Sequence, residues 1–94
     1  MKIRLSHQVG KFLRSLPPIP KKRIRSALRD LASMEGDLKE LEAPLDGYIR
    51  LRVHQYRIIL KMSEKEVDCI FIERRSVVYE LFAAQGFRES LESP

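Results

Sequence analysis

Two stretches in the middle of the chain alternate between polar and apolar residues. They cover residues 48–53 and 56–62, within the run YIRLRVHQYRIILKM. A period of two is typical of strands that bury one face and expose the other. His54 and Gln55 lie between the two stretches, so the pattern predicts a β-hairpin with a two-residue turn.

The register of this hairpin would separate charged from apolar side chains. With residue 53 opposite residue 56, Arg52 faces Arg57 across the hairpin. The apolar face then holds Ile49, Leu51, Val53, Tyr56, Ile58, Leu60 and Met62. The other face holds Tyr48, Arg50, Arg52, Arg57, Ile59 and Lys61. Like charges directly opposite each other destabilise a sheet, and neither strand contains an acid, so one interpretation is an anion-binding surface. The alternative is a solvated face on which the long side chains splay apart.

Two stretches before the hairpin have the spacing of amphipathic helices. Apolar residues recur at intervals of three and four, namely Val9, Phe12, Leu13 and Leu16 in the first stretch and Ile24, Ala27, Leu28 and Leu31 in the second. Ser6 suits the N-cap of the first helix, the prolines in residues 17–20 end it, and Gly36 suits the end of the second. The pattern predicts a helical hairpin that covers one face of a sheet.

The remaining segments complete an α+β fold. Residues 1–5 predict a short strand, residues 35–46 an acidic linker, and residues 67–72 an internal strand. Ser76 suits the cap of a short C-terminal helix. The expected order is β-α-α-β-β-β-α, with an N-terminal strand, a helical hairpin, a three-stranded antiparallel meander and a short C-terminal helix. We expect the helices on one face of the sheet and a basic, exposed surface on the other.

Length and charge narrow the class of protein further. A chain of 94 residues is too short for a second core, so residues 1–94 predict one domain, with a poorly fixed tail at residues 85–94. The net charge is +5, and residues 1–33 and 47–62 carry +8 and +4. Two basic segments favour a polyanion as partner, with nucleic acid the leading candidate. A basic surface that keeps the protein soluble is the alternative.

Several other kinds of site lack the residues they need. Cys69 is the single cysteine, which excludes an internal disulfide and a cysteine-based zinc site. His7 and His54 are separated and show no ligand spacing, so we expect no metal and no cofactor. No apolar run approaches the roughly 20 residues of a membrane span, and no secretion signal is present. We therefore expect a cytoplasmic protein without a membrane partner.

The element order and two motifs resemble the RelE/ParE superfamily of bacterial type II toxins. The first motif is the hairpin run LDGYIRLRVHQYRIIL, and the second is IERRSVVYELF after the next strand. The resemblance covers roughly residues 1–82 and implies a RelE-like microbial RNase fold. RelE-like members cut messenger RNA in the ribosomal A site without a metal, whereas ParE-like members poison DNA gyrase. Both kinds are held by a cognate antitoxin protein.

The resemblance also implies roles for individual residues. Arg57 looks like the arginine that contacts the scissile phosphate, Arg50 like a basic residue one strand over, Arg75 like an arginine after the last strand, and Tyr79 like the tyrosine of the C-terminal segment. These four are the implied catalytic residues. Further basic residues are expected to contact RNA, namely Arg52, Lys61, Arg74, Lys21, Lys22 and Arg25.

The implied reaction is attack by a ribose 2′-hydroxyl on the adjacent phosphate. Guanidinium groups would stabilise the phosphorane, and Tyr79 is the best candidate for proton transfer or for stacking on a base. Two positions depart from the nuclease pattern, because Glu73 and Tyr48 stand where nuclease sequences carry basic residues. Glu73 suits a general base or an ion pair with Arg74 or Arg75. The prediction is thus a metal-independent mRNA endonuclease toxin, with a gyrase inhibitor or a non-catalytic binding relative as alternatives.

Overall fold

A mixed five-stranded sheet forms the centre of the molecule. The computed structural model describes residues 1–86, so the predicted tail lies, from residue 87 onward, outside the described residues. The strands are β1 (Lys2–Leu5), β2 (Asp37–Glu40), β3 (Ile49–Val53), β4 (Tyr56–Met62) and β5 (Glu66–Arg74). Their order across the sheet is β1-β5-β4-β3-β2. β1 runs parallel to β5, and the other neighbours are antiparallel.

Helices cover both faces of this sheet. α1 (His7–Ser15) and α2 (Pro18–Ala32) form the predicted helical hairpin on one face. α3 (Val78–Leu81) and a following π-helical turn (Phe82–Gly86) lie on the other face. Within the described part of the chain, no helix is both long and apolar enough to cross a bilayer.

The predicted hairpin register is confirmed. Val53 pairs with Tyr56 and Arg52 pairs with Arg57, so His54 and Gln55 form the turn. His54 has a φ of 55°, a left-handed conformation that few residues other than glycine adopt readily. The seven residues predicted for the apolar face all belong to the core or pack against it, together with the apolar stripes of α1 and α2. The meander β3-β4-β5 therefore has the predicted geometry.

β2 is a strand that the sequence did not predict. Residues 35–46 were expected to be a linker, but Asp37–Glu40 pairs along its whole length with β3. The segment DLKE contains one apolar residue, so it lacks the alternation by which a half-buried strand is recognised. Leu38, the apolar residue, packs against the main core. The meander thus becomes four antiparallel strands, and the element order gains one strand.

The position of the C-terminal helix also differs from the prediction. All helices were expected on one face, but Val78 and Phe82 bury themselves on the face opposite α1 and α2. They form a second core with Tyr48, the residue before β3, and with Ile59 and Phe71 of the sheet. The Tyr48 and Phe82 rings meet edge to face with centroids 5.1 Å apart. Only part of the predicted basic face is therefore exposed.

The start of α1 is fixed to β5 by two polar side chains. Ser6 caps α1 as predicted by accepting a hydrogen bond from the Val9 amide at 3.2 Å, and its hydroxyl donates to the carbonyl of Ile70. Gln8 donates to the carbonyl of Ile72 at 2.7 Å and accepts from the amide of the same residue at 2.8 Å. A side-chain amide thus satisfies the backbone of β5 where β1 has already ended.

The end of α2 precedes the glycine expected to terminate it. The helix ends at Ala32, and Met34 takes the left-handed conformation with a φ of 60°. Gly36 has a φ of 146° and leads directly into β2. A Cβ atom at this position would lie 2.8 Å from Cδ1 of Leu51, which is 1% exposed. Gly36 therefore allows β2 to approach β3 closely.

We predict that Gly36→Ala destabilises the protein more than Gly47→Ala does. Both glycines have positive φ, at 146° and 91°, but a Cβ at Gly47 would meet nothing within 4 Å. Both variants should suffer backbone strain of about 1 kcal/mol, and Gly36→Ala should lose about 1 to 3 kcal/mol more by overpacking Leu51. Urea unfolding of the two variants and the parent measures this difference. Equal losses would show that Leu51 moves aside without cost.

The Cys69 thiol should react only when the protein unfolds. The residue is 1% exposed, as expected for a core cysteine. Burial, followed by the charge of Asp68, raises the pKa of Cys69 from 9.0 to about 12. Rising pH therefore favours unfolding across this range, because the unfolded chain loses the thiol proton first. Alkylation with iodoacetamide near pH 9 should be slow in the native protein and fast in guanidinium chloride; equal rates would contradict this burial.

Candidate nucleic-acid interface

Arg57 lies at the tip of the hairpin with its side chain folded against the turn. Its Nη1 donates hydrogen bonds to the carbonyls of His54 and Tyr56, both at 2.8 Å. A guanidinium carries five N–H donors, and these two bonds are the only ones that Arg57 makes within residues 1–86. The group is therefore held in place and keeps donors for a ligand.

Four other residues surround the Arg57 guanidinium. Burial lowers the pKa of Arg57, and the positive charges of Arg52, Arg50 and Arg75 lower it further, whereas Tyr79 acts in the opposite direction. Such influences fade with distance, so each of these side chains lies in the neighbourhood of Arg57. Because the like charges repel, a bound anion at this point would stabilise them all. We call these five residues, Arg50, Arg52, Arg57, Arg75 and Tyr79, the arginine cluster.

Arg50 has an acidic partner that the sequence did not reveal. Its Nη1 lies 3.2 Å from Oδ1 of Asp37 and 3.1 Å from the Asp37 carbonyl oxygen. The Arg50 side chain is 16% exposed, so this ion pair is more shielded from water than the others described. Asp37 was assigned to the linker, and only the pairing of β2 with β3 brings it here. One charge of the cluster is thus partly neutralised.

Arg75 and Tyr79 reach the cluster because the chain after β5 is fixed at two points. The Arg75 amide donates to the carbonyl of Gln55 at 2.7 Å, which joins this segment to the hairpin turn. Four residues later, Tyr79 is 37% exposed, while its neighbour Val78 is completely buried in the second core. Tyr79 is therefore positioned by the packing of α3 and remains accessible to solvent.

The sheet separates Glu73 from Arg74. Glu73 pairs in register with Arg57 and so lies on the face of the arginine cluster, whereas Arg74 pairs with Tyr56 on the other face. The Glu73 Oε1 atom accepts a hydrogen bond from the Arg74 amide at 3.1 Å. Within the described residues, Glu73 forms no ion pair with Arg74 or Arg75. The expected side-chain pair is thus replaced by a main-chain contact.

Comparison with solved structures assigns the fold. RelE in a RelB–RelE antitoxin–toxin complex from Methanococcus jannaschii aligns with a TM-score of 0.67 at 20% identity, covering 84% of this chain and 98% of that one. A YoeB–YefM complex from Staphylococcus aureus gives 0.62 at 19%, covering 80% and 97%. YafQ from Escherichia coli gives 0.62 at 15%, covering 81% and 94%. This chain has the RelE/ParE toxin fold. No family model and no curated protein matches the sequence.

On this RelE/ParE fold, Lys61 lies apart from the arginine cluster. Its Nζ lies 5.0 Å from the centre of the Tyr48 ring. Between Lys61 and Arg57 on β4 lies Ile59, which is completely buried in the second core. Tyr48 is 4% exposed, so the residue that replaces a basic one in the nuclease pattern is part of that core.

The basic residues of α2 divide between two grooves. Lys22 lines a groove together with Arg52 and His54, close to the hairpin tip. Arg25 lines a different groove, between α1 and α2, with Arg14 and Arg29. Lys21 lines neither of these grooves. Of the three α2 residues expected to contact RNA, Lys22 is the one that shares a groove with a member of the arginine cluster. Within residues 1–86, no group of three or more His, Cys, Asp or Glu side chains could hold a metal ion.

We predict that Arg52→Gln stabilises the protein and Arg50→Gln destabilises it. Arg52 opposes Arg57 on β4, and its neighbour on β2, Asp37, is bonded to Arg50 instead, so removing Arg52 should add about 0.2 to 1 kcal/mol to the free energy of unfolding. Arg50→Gln should remove about 1 kcal/mol by breaking the pair with Asp37. Urea unfolding at low and high salt tests both, and the gain of Arg52→Gln should shrink as salt rises. A loss in Arg52→Gln would disprove the repulsion.

Proposed function

We propose that this protein is the toxin of a type II toxin–antitoxin system and acts as a ribosome-dependent endonuclease on messenger RNA. The observation that carries the proposal is the arginine cluster, in which Arg52 lies directly opposite Arg57 and the charges of Arg50, Arg75 and Tyr79 also act on the pKa of Arg57. The toxins with a similar fold, RelE and YoeB among them, support the toxin role. The proposed site of action, in the cytoplasm, is the A site of a translating ribosome.

The proposed reaction uses the cluster to stabilise negative charge. The ribose 2′-oxygen attacks the adjacent phosphorus, a new P–O bond forms, and the bond to the 5′-oxygen of the next nucleotide breaks. The products are a 2′,3′-cyclic phosphate and a free 5′-hydroxyl. Arg57 and Arg75 hold the phosphate and stabilise the dianionic phosphorane, because guanidiniums stay protonated at physiological pH. Arg50 contributes when the phosphate competes with Asp37 for its guanidinium.

Two side chains are candidates for the proton transfers. Tyr79 is exposed and lies close enough to Arg57 to act on its pKa, so its hydroxyl is a candidate to exchange a proton with the reacting oxygens. Glu73 lies on the same face and is half-buried, which makes it the second candidate base. One of these two side chains accepts the proton of the 2′-hydroxyl, and the other, or a water molecule, gives a proton to the leaving 5′-oxygen.

A second candidate function is suggested by Tyr48. Its burial in the second core leaves no cation at a position where the nuclease pattern has one. A gyrase inhibitor, or a binding relative without catalysis, would need the basic surface for docking and not for cleavage. Either function predicts intact messenger RNA, which separates both from the endonuclease.

The proposed regulator is a cognate antitoxin whose acidic segment covers the arginine cluster. The RelE structure from Methanococcus jannaschii is itself a complex with RelB, which supports such a partner. Arg52, with no ion pair in the described structure, is the natural first contact for an acidic side chain. Exposed ion pairs are screened within about 10 Å at 0.1 M salt, so the complex should weaken as salt increases.

We predict that expression in bacteria produces cuts at codon-phased positions in translated messages, and that Arg57→Ala abolishes them. Removing a charge that stabilises the phosphorane should lower the cleavage rate by about 10²-fold or more. Tyr79→Phe should lower it by a similar factor if the phenol transfers a proton. Mapping of 5′ ends within minutes of induction measures the cuts.

The matched control is Arg14→Ala, which removes an exposed arginine of α1 from the opposite side of the molecule. It should cut as the parent does, and circular dichroism should show that all variants are folded. Growth arrest with intact messages would contradict the endonuclease function and favour a gyrase inhibitor. Absence of any growth arrest would favour a binding relative without catalysis.

A further inference from the structure

A groove separates α2 from the tip of the β3–β4 hairpin. Its volume is about 570 Å³. The α2 residues that line it are spaced by three and four, so they form one face of the helix: Ile19, Lys22, Arg23, Ser26, Ala27 and Asp30. Arg52, Val53 and His54 line it from the hairpin. The groove thus has a helical wall and a wall made by the turn.

Three positive charges in this groove lack acidic partners. Lys22, Arg23 and Arg52 form neither an ion pair nor a side-chain hydrogen bond within the described residues. Asp30 is the single acid among the lining residues, and it lies seven residues after Arg23, about 10 Å along the helix axis. The end of the groove near Lys22 and Arg23 is therefore positively charged and suited to an anion.

Arg52 connects this groove to the arginine cluster. It pairs with Arg57 in the hairpin and also lines the groove on the α2 side. β2 ends its pairing with β3 at Arg52, so Val53 and the turn project past the end of β2. Arg52 therefore places one positive charge both beside Arg57 and in the groove, so a flexible polyanion bent round the hairpin tip can contact both places.

His54 occupies the bend of this path. Its φ of 55° costs a residue other than glycine about 1 kcal/mol or more. Arg57 stabilises the turn by donating to the His54 carbonyl, and His54 also lines the groove. Strained residues of this kind concentrate at recognition sites. An exposed imidazole ring is also suited to stacking on an unpaired base.

We propose that this groove binds a second phosphate of a single-stranded RNA whose reacting phosphate lies at Arg57. Lys22 and Arg23 contact the second phosphate, Arg52 is shared between the two phosphates, and His54 packs against a base. The inference rests on the proposed endonuclease function and adds the path of the strand, which bends round the hairpin tip.

The test uses the full-length protein and a short, 5′-labelled, 2′-O-methylated RNA, which binds without being cleaved. Its dissociation constant is measured by fluorescence anisotropy over a salt series for the parent, for Lys22→Gln/Arg23→Gln and for Arg14→Gln/Arg29→Gln. The last pair removes the same charge from the groove between α1 and α2. Losing the contact with the one second phosphate should reduce the slope of log Kd against log salt by about 0.7, whereas the control pair should keep the parental slope.

Neutral methylphosphonate linkages, placed singly along the same RNA, locate the two phosphates. In the parent, affinity should fall when the neutral linkage is at either of two separate positions. In Arg57→Ala, one of these two positions should no longer matter, and in Lys22→Gln/Arg23→Gln the other should no longer matter. The second site alone would be overturned if the two double variants had the same salt slope while the linkage that depends on Arg57 kept its effect on affinity. This result is expected if the groove binds a protein partner. A parent that binds no RNA would overturn the second site alone, because the ribosome-dependent endonuclease function is tested separately by the cuts in translated messages.

Discussion

The register of the β3–β4 hairpin is the constraint on which both faces of the sheet depend. With a two-residue turn, seven apolar side chains face α1 and α2, and Arg50, Arg52 and Arg57 face away from them. A slip of one residue would exchange the faces, placing guanidiniums in the core at a cost no contact in this fold repays. The burial that stabilises the protein therefore also sets the spacing of the arginines. The register of the hairpin therefore determines both the burial of the apolar side chains and the positions of the arginines. A change in the length of the turn would disturb both.

The face opposite the helical hairpin is divided between packing and charge. Ile59 belongs to the second core, while Arg57, two residues earlier on the same strand, carries exposed donors. Phe82 and Val78 cover the apolar half, and their packing fixes α3 so that Tyr79 stands at the boundary. A guanidinium beside apolar surface is less hydrated than one in open solvent, which strengthens its interaction with any anion that binds there. The second core is thus as important for the site as the basic residues themselves.

The sequence predicted those parts of the fold in which one pattern dominates. Alternation over thirteen residues determined the hairpin register, and the spacing of Val9, Leu13, Ile24 and Leu28 determined which helix faces are buried. β2 was missed because its one apolar residue gives no alternation, and the ion pair between Arg50 and Asp37 was missed with it. The position of α3 was predicted wrongly because apolar residues such as Val78 and Phe82 predict burial but do not indicate which face of the sheet they pack against. Arg57, Arg75 and Tyr79 were identified by motif, but their proximity depends on the link between Arg75 and Gln55, a main-chain contact that no side-chain pattern encodes.

Gln8 has a consequence for how the molecule behaves at high concentration. An open sheet exposes two rows of backbone donors and acceptors, through which identical chains can join edge to edge into polymers. On one side, β1 covers the first half of β5, and the Gln8 amide occupies both hydrogen-bonding groups of Ile72 beyond it. On the other side, the edge is the four-residue β2, three of whose residues are charged. Among the described residues, neither edge of the sheet has a long, uncharged row of free backbone amides. The two edge strands therefore disfavour edge-to-edge association into fibres.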